Sequence, residues 1–327
     1  MDRFRRVGLA AVLSATRLAA AAASVAACAP RYAALGPIAP TDLWTPLPVQ
    51  HVTVDGVDVA YVDSGGAGTP VVLIHGLSST IGFWEHQIAA LAQNHRVLAL
   101  DLPGFGASAR PDAPYDPPWY AGVVAGWMDA VGVPSAAVVG HSMGGQVAIT
   151  LALDHPQRVD ALVLSAPAGI ETFDPGAASV LKRYYTENRA YDTTEDELRY
   201  AFCGLAFGRV DDGVERLLME RVRMRGTPAL RGTSVAVSRA IAGMLDHPVR
   251  DRLDQIAAPT LVVFGTDDRM IPNPLLNGGR TTTVAREAER AIPGAKLVLI
   301  QRGGHTVHHD APDVFNRAVE TFLSEAR

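Results

Sequence analysis

From residue 51 onward, short apolar runs alternate with stretches of helical spacing. His51–Val54 and Val57–Val62 alternate apolar and polar residues about Asp55-Gly56, which predicts a hairpin. Val71-Val72-Leu73-Ile74 is an unbroken apolar run, as expected of a strand covered on both faces. Further buried strands are expected at Arg96–Leu100, Ala136–Val139, Val159–Leu164, Thr260–Phe264 and Lys296–Ile300. Between and after them, Phe83–Ala92, Trp119–Val131, Gly144–Asp154, Thr283–Ala291 and Pro312–Glu325 have helical spacing. Strand-helix alternation of this kind predicts an α/β fold around a mostly parallel sheet.

The alternation stops from Ile170 to Arg250, which holds no apolar strand run. Its helical stretches are Ala177–Glu187, Glu195–Phe202, Val214–Arg225 and Thr233–Leu245. We expect a helical cap at 170–250, inserted between strands six and seven and dividing the core into 51–169 and 251–327. Ligands bind at the carboxyl ends of the strands in open α/β sheets. A cap there would shape a pocket and exclude water. The apolar segments Ala201–Phe207 and Thr233–Leu245 suggest an apolar pocket lining, although such stripes more often serve packing.

The N-terminus has a different character. Arg3, Arg5 and Arg6 precede an Ala-rich run, Leu18–Ala27, too short for a permanent membrane span. Residues 1–27 therefore read as an export signal. Val25-Ala26-Ala27-Cys28 resembles a bacterial lipobox, which implies cleavage before Cys28 and lipid on its thiol. An ordinary signal cut near Ala27 or Ala29 is the alternative, and an unprocessed cytoplasmic chain the third. The expected location is a bacterial membrane surface, the periplasm or the medium. Residues 28–50 carry Pro30, Pro37, Pro40, Pro46 and Pro48, with Arg31 and Asp42 as the charged residues, and read as an extended tether.

Composition narrows the classes. The chain has 327 residues, 48% of them apolar and 19% charged, which suits a large packed core and excludes wholesale disorder and a coiled coil. A net charge of −5 leaves no basic face for nucleic acid. Two cysteines cannot build a disulfide scaffold or a four-thiolate zinc site.

Candidate chemistry gathers at four loops. Gly140-His141-Ser142-Met143-Gly144 fits G-x-S-x-G between a strand and a helix, where a sharp turn lifts the Ser142 hydroxyl above the sheet. His305 follows the strand Lys296–Ile300 and is the base a serine nucleophile needs near neutral pH. Asp267 and Asp268, after Thr260–Phe264, both qualify as the carboxylate that orients that base. His75-Gly76-Leu77-Ser78 follows Val71–Ile74. The N–H groups of Leu77 and Met143 are the natural pair of oxyanion donors. His75 and Trp84 read as packing residues. His308 and His309 invite a metal reading, but Asp310 is their only acidic neighbour along the chain, so no metal or other cofactor is expected.

These pieces resemble the α/β-hydrolase fold superfamily in its capped form. The resemblance rests on His75-Gly76 with Trp84, Asp101–Ser108, Gly140–Gly145, Gly265–Pro272 and Gly304-His305 followed by Asp310-Ala311-Pro312. It covers the chain from about residue 50 to the C-terminus, in the family's order. It implies a Ser142-His305-Asp268 triad, selecting Asp268 over Asp267. Ser142 argues against the epoxide hydrolases and haloalkane dehalogenases, which use an aspartate nucleophile. His141 stands where ring-cleavage-product hydrolases more often have Asn. The reaction implied is hydrolysis of a small-molecule carboxylic ester through an acyl-enzyme. Lactone, amide, peptide or C–C cleavage and cofactor-free perhydrolysis are alternatives on the same triad. A non-catalytic binding protein is a further one.

Overall fold

The computed structural model describes residues 31–326. The expected signal at 1–27 and Cys28 lie outside them. Eight strands form one sheet: β1 (Gln50–Val54), β2 (Val57–Asp63), β3 (Pro70–Ile74), β4 (Arg96–Leu100), β5 (Ala136–His141), β6 (Val159–Ser165), β7 (Thr260–Gly265) and β8 (Lys296–Ile300). Their order is β1-β2-β4-β3-β5-β6-β7-β8. β1 and β2 are antiparallel, as is β2 to β4, and every other pair is parallel. The hairpin turns at Asp55 and Gly56, both at positive φ (47° and 81°), as a two-residue loop of this hand requires.

Side-chain alternation builds a core on each face of the sheet. Val72, Ile74, Leu98, Leu100, Val138 and Leu162 point into one cluster. Their neighbours Val71, Leu73, Val97, Ala99, Val139 and Val163 point into the other. This two-sided burial is why these strands read as unbroken apolar runs. No described helix is long and apolar enough to cross a membrane.

Strand register brings the chemistry together. Ile74 pairs with Leu100 on one side and Gly140 on the other, Ser165 with Val263, and Gly265 with Ile300. The carboxyl ends therefore align in one row. Strand order reverses between β3 and β5, so the loop after β3 and the turn after β5 flank the crevice where open α/β sheets bind ligands.

The insert between β6 and β7 is helical, as expected: Pro175–Tyr184, Glu187–Tyr191, Glu195–Arg199, Asp212–Met224 and Ala229–Asp246, with a π-helical stretch at Tyr200–Ala206. The short helix Glu187–Tyr191 has too few turns to show periodicity in sequence. The apolar stripe of the last helix serves packing: Ala236, Val237, Ala240 and Ile241 join the main core.

The proline-rich stretch expected as a tether is docked from residue 31 onward. Tyr32 is buried in a cluster with Phe83, Leu198, Phe202 and Val214. Its N–H donates to Glu195 Oε1 at 2.9 Å and its hydroxyl to Glu215. The Trp44 N–H donates to Glu220 Oε1 at 2.8 Å, and the Arg216 guanidinium lies 4.0 Å from the Trp44 ring centre. Composition signals extended chain but cannot say what surface that chain meets. Tyr32→Ala should cost about 3 kcal/mol of local stability through the cavity it leaves. Hydrogen exchange should quicken at Glu195–Arg199 and leave β3–β6 unchanged; equal protection in the variant would mean that the strap does not hold the cap.

Candidate active site

Ser142 occupies a turn that only its neighbours' small size permits. Its backbone sits at φ 53°, ψ −117°, a sparsely populated conformation for a residue with a side chain. A Cβ at Gly140 would lie 2.3 Å from the Gly144 carbonyl oxygen, and one at Gly144 would lie 2.3 Å from Ile74 O. The two glycines of the motif thus let the turn, the helix Met143–Asp154 and β3 approach to backbone contact. Ser142 O accepts from Gly145, Gln146 and Ala168 N–H, which pins the turn from behind. The Met143 N–H begins the helix and has no carbonyl four residues back to bond within it.

The loop after β3 is fixed as firmly. His75 is buried; its Nδ1 lies 2.7 Å from Gly76 O and its Nε2 accepts from Leu102 N–H at 3.0 Å. Those partners set a neutral Nδ1–H tautomer and leave His75 no proton-transfer role. A Cβ on Gly76 would meet Ser142 Cβ at 3.2 Å, so the loop carrying Leu77 abuts the serine turn. Asp101 braces it further, accepting from Ile81 and Ala107 N–H, each at 2.8 Å.

The two aspartates separate cleanly. Asp268 Oδ2 lies 2.9 Å from His305 Nδ1, and the two side chains are almost fully buried. Asp268 Oδ1 accepts from Met270 and Ile271 N–H at 2.8 and 3.0 Å. Asp267 is exposed and accepts from the Thr266 hydroxyl. With Nδ1 held by Asp268, Nε2 is the nitrogen of His305 that remains for Ser142. No hydrogen bond joins Ser142 to His305 among the described residues, and such contacts commonly tighten only with substrate bound. The ring of His141, the residue before Ser142, is centred 4.9 Å from the His305 ring, with its Nε2 3.2 Å from His305 O.

The cap is tied to the acid and base loops. Thr306 N–H donates to Ala206 O at 2.8 Å, and Arg269 Nη1 to Gly204 O at 3.0 Å. Asp310 accepts from the N–H groups of Gly208, Arg209 and Gly304. It therefore organises backbone rather than serving His309 as a metal partner. His309 meets instead Glu85 and His86, whose sequence distance hid them. The three offer ligand atoms within 4.8 Å of one another. Arg216 pairs with the other oxygen of Glu85, supplying positive charge there already.

Trp84 is fully buried and stacks on His308, ring centres 4.2 Å apart. His308 Nδ1 lies 3.2 Å from Ser165 Oγ. Burial holds His75 below the usual histidine range and His141 and His308 well below it, with neighbouring histidines adding repulsion to the latter two. All three are thus neutral in the folded protein and take up protons more readily once unfolded. Stability should be complete above about pH 6.5, where unfolded histidine is neutral, and fall as the pH drops through that value toward the lower folded ones. The maximum slope is about 1.4 kcal/mol per pH unit for each histidine. Urea unfolding at pH 8, 6 and 5 measures it; no loss by pH 5 would contradict the neutral assignment.

Comparison with known proteins agrees with this architecture. The family model described as alpha/beta hydrolase fold matches residues 69–312. The "Putative carbamate hydrolase RutD" of Azorhizobium caulinodans is 32% identical over 268 residues, covering 81% of this chain and 95% of its own. The dihydrolipoyllysine-residue acetyltransferase component of the acetoin cleaving system of Cupriavidus necator is 31% identical over 276 residues, covering 84% of this chain and 68% of its own. Among solved structures, a probable hydrolytic enzyme from Pseudomonas aeruginosa PAO1 superposes with a TM-score of 0.79 at 27% identity, covering 90% of this chain and 99% of that one.

Proposed function

The chain belongs to the alpha/beta hydrolase fold family, and on that premise we propose that it is a serine hydrolase cleaving carboxylic esters through an acyl-enzyme. The observation that carries this reading is the buried Asp268–His305 pair at the same sheet end as Ser142, held at positive φ on its turn. Ser142 Oγ bonds to the acyl carbon as its proton passes to His305 Nε2. The carbonyl pair moves onto oxygen, which the N–H groups of Leu77 and Met143 hold. Collapse breaks the bond to the leaving alcohol, which takes the proton from His305. Water repeats the sequence on the acyl-enzyme and frees the acid.

The names of relatives keep other bonds in view on the same residues. One relative is named for carbamate hydrolysis, and a solved structure 28% identical, Est816, for degrading N-acyl homoserine lactones. Hydrolysis of a chain-length series of chromogenic esters, beside the matching lactones and carbamates, tests the ester reading. Turnover of esters above the others supports it; turnover of lactones or carbamates alone would replace it.

We further take the protein to be exported and anchored through lipid on Cys28. Cys28→Ala should move it from the membrane fraction to the soluble one. Unchanged retention would sink the anchor.

A further inference from the structure

Beside the Leu77 loop, a narrow cleft runs between the core and the cap. Its walls include Ser78, Thr80, Phe105, Phe202 and Thr233, and Arg221 enters it from the cap helix Asp212–Met224. Arg221 has no ion pair and no hydrogen bond among the described residues, and its Nε is sealed from solvent without an acceptor. Ser78, in the cleft wall, is the next residue in the chain after Leu77, the proposed oxyanion donor.

The surroundings of Arg221 make its charge conspicuous. Arg225 lies one helical turn on and Arg110 reaches in from the loop after β4, and both repel it. Arg110 spends its own donors on Ser108 O at 2.8 Å, Gly106 O at 2.9 Å and Thr233 Oγ1 at 3.0 Å. Arg225 also has no carboxylate partner among the described residues. Glu220, which lines the same cleft, accepts from the Trp44 N–H through Oε1 and forms no ion pair with Arg221. Burial and its two cationic neighbours lower the Arg221 pKa to about 10, which leaves it charged at neutral pH.

Arg221 is half-buried, with Nε sealed and its side chain carrying no counter-charge, so its fork is left to meet a ligand in the cleft. Among the described residues no carboxylate pairs with it. A guanidinium fork matches the two oxygens of a carboxylate or phosphate. We propose that Arg221, supported by Arg110 and Arg225, is the anion-binding group of the substrate cleft, and that the substrate carries a carboxylate or phosphate beyond its scissile ester. Phe105 and Phe202 then flank the apolar linker between the two groups. This inference rests on the ester reading for its substrate but not for its binding site.

The test compares a half-ester of glutaric acid, its neutral diester and a phosphate-bearing ester of similar length, using full-length wild type and Arg221→Met. The variant should lose about 10- to 100-fold in kcat/KM on the anionic esters and keep its activity on the diester. Arg221→Lys, which keeps the charge but not the fork, should fall between. The preferred anion separates carboxylate from phosphate. Glutarate and inorganic phosphate also serve as probes without chemistry: the preferred one should raise the Tm of wild type and of Ser142→Ala, and not of Arg221→Met. Equal losses on neutral and anionic esters, or protection that survives Arg221→Met, would overturn the proposal. If wild type hydrolyses none of the esters yet is protected through Arg221, the ester reading fails and the anion site stands.

Discussion

Ser142→Ala should lower kcat on every ester the protein turns over by roughly a million-fold, with the fold and melting temperature retained. The size of the loss follows from the chemistry. Alanine offers no atom to form the acyl-enzyme, so His305 and the oxyanion donors are left to act on water alone. The residual rate should still exceed the uncatalysed one by about a thousand-fold, because oxyanion stabilisation and substrate binding survive. Stability should be nearly untouched, since the motif is held by backbone: Gly140 against Gly144, and Ser142 O by three N–H groups. Burst kinetics on an activated ester give a direct reading. Wild type should release one leaving group per chain in the burst and the variant none. A variant that keeps more than a few per cent of activity would remove Ser142 from the reaction.

Asp268→Asn should cost about ten-thousand-fold in kcat, while Asp267→Asn leaves activity unchanged. Asp268 accepts a hydrogen bond from His305 Nδ1–H at 2.9 Å and thereby fixes the ring with Nε2 free to act as base. An amide at that place donates where the carboxylate accepted. It drives the imidazole to the opposite tautomer, with Nε2 already protonated, and withdraws the charge that stabilises the imidazolium. Asn keeps an oxygen for Met270 and Ile271 N–H, so the loop should hold its shape. Asp267 is exposed, and its side chain accepts only from the neighbouring Thr266 hydroxyl. If Asp267→Asn were the damaging change, the orienting role would belong there and the buried pair would be structural.

Most of the sheet was legible because the central strands are buried on both faces and spell unbroken apolar runs, while the β1–β2 hairpin alternates about its turn. Arg96–Leu100, Lys296–Ile300 and Pro312–Glu325 fall where their spacing places them, and the other core elements differ by a residue or two at their ends. Those ends moved because capping and hydrogen bonding decide them, not periodicity. The helix expected from Phe83, for example, begins as a 3-10 turn at Ile81–Trp84 and becomes α-helical at Glu85. The candidate nucleophile and base were legible too, since a strand-to-helix turn tolerates only small neighbours and a serine needs a base.

The sequence by itself determined the alternation, the insert, Ser142 and His305, because those are written in local periodicity and in motifs that a few residues complete. Its own spacing left Asp267 and Asp268 equal. The family resemblance pointed to Asp268, and the fold supplies the physical reason, burying that carboxylate against His305 and leaving its neighbour in water. The docking of residues 31–49 on the cap was decided at the same level, as were the Glu85–His86–His309 cluster and the convergence of Arg110, Arg221 and Arg225. Each joins positions far apart in the chain, and no local pattern records a contact made only when the chain folds. An unpaired charge, above all, cannot be seen in a sequence: whether Arg221 has a partner depends on every other side chain within reach of it.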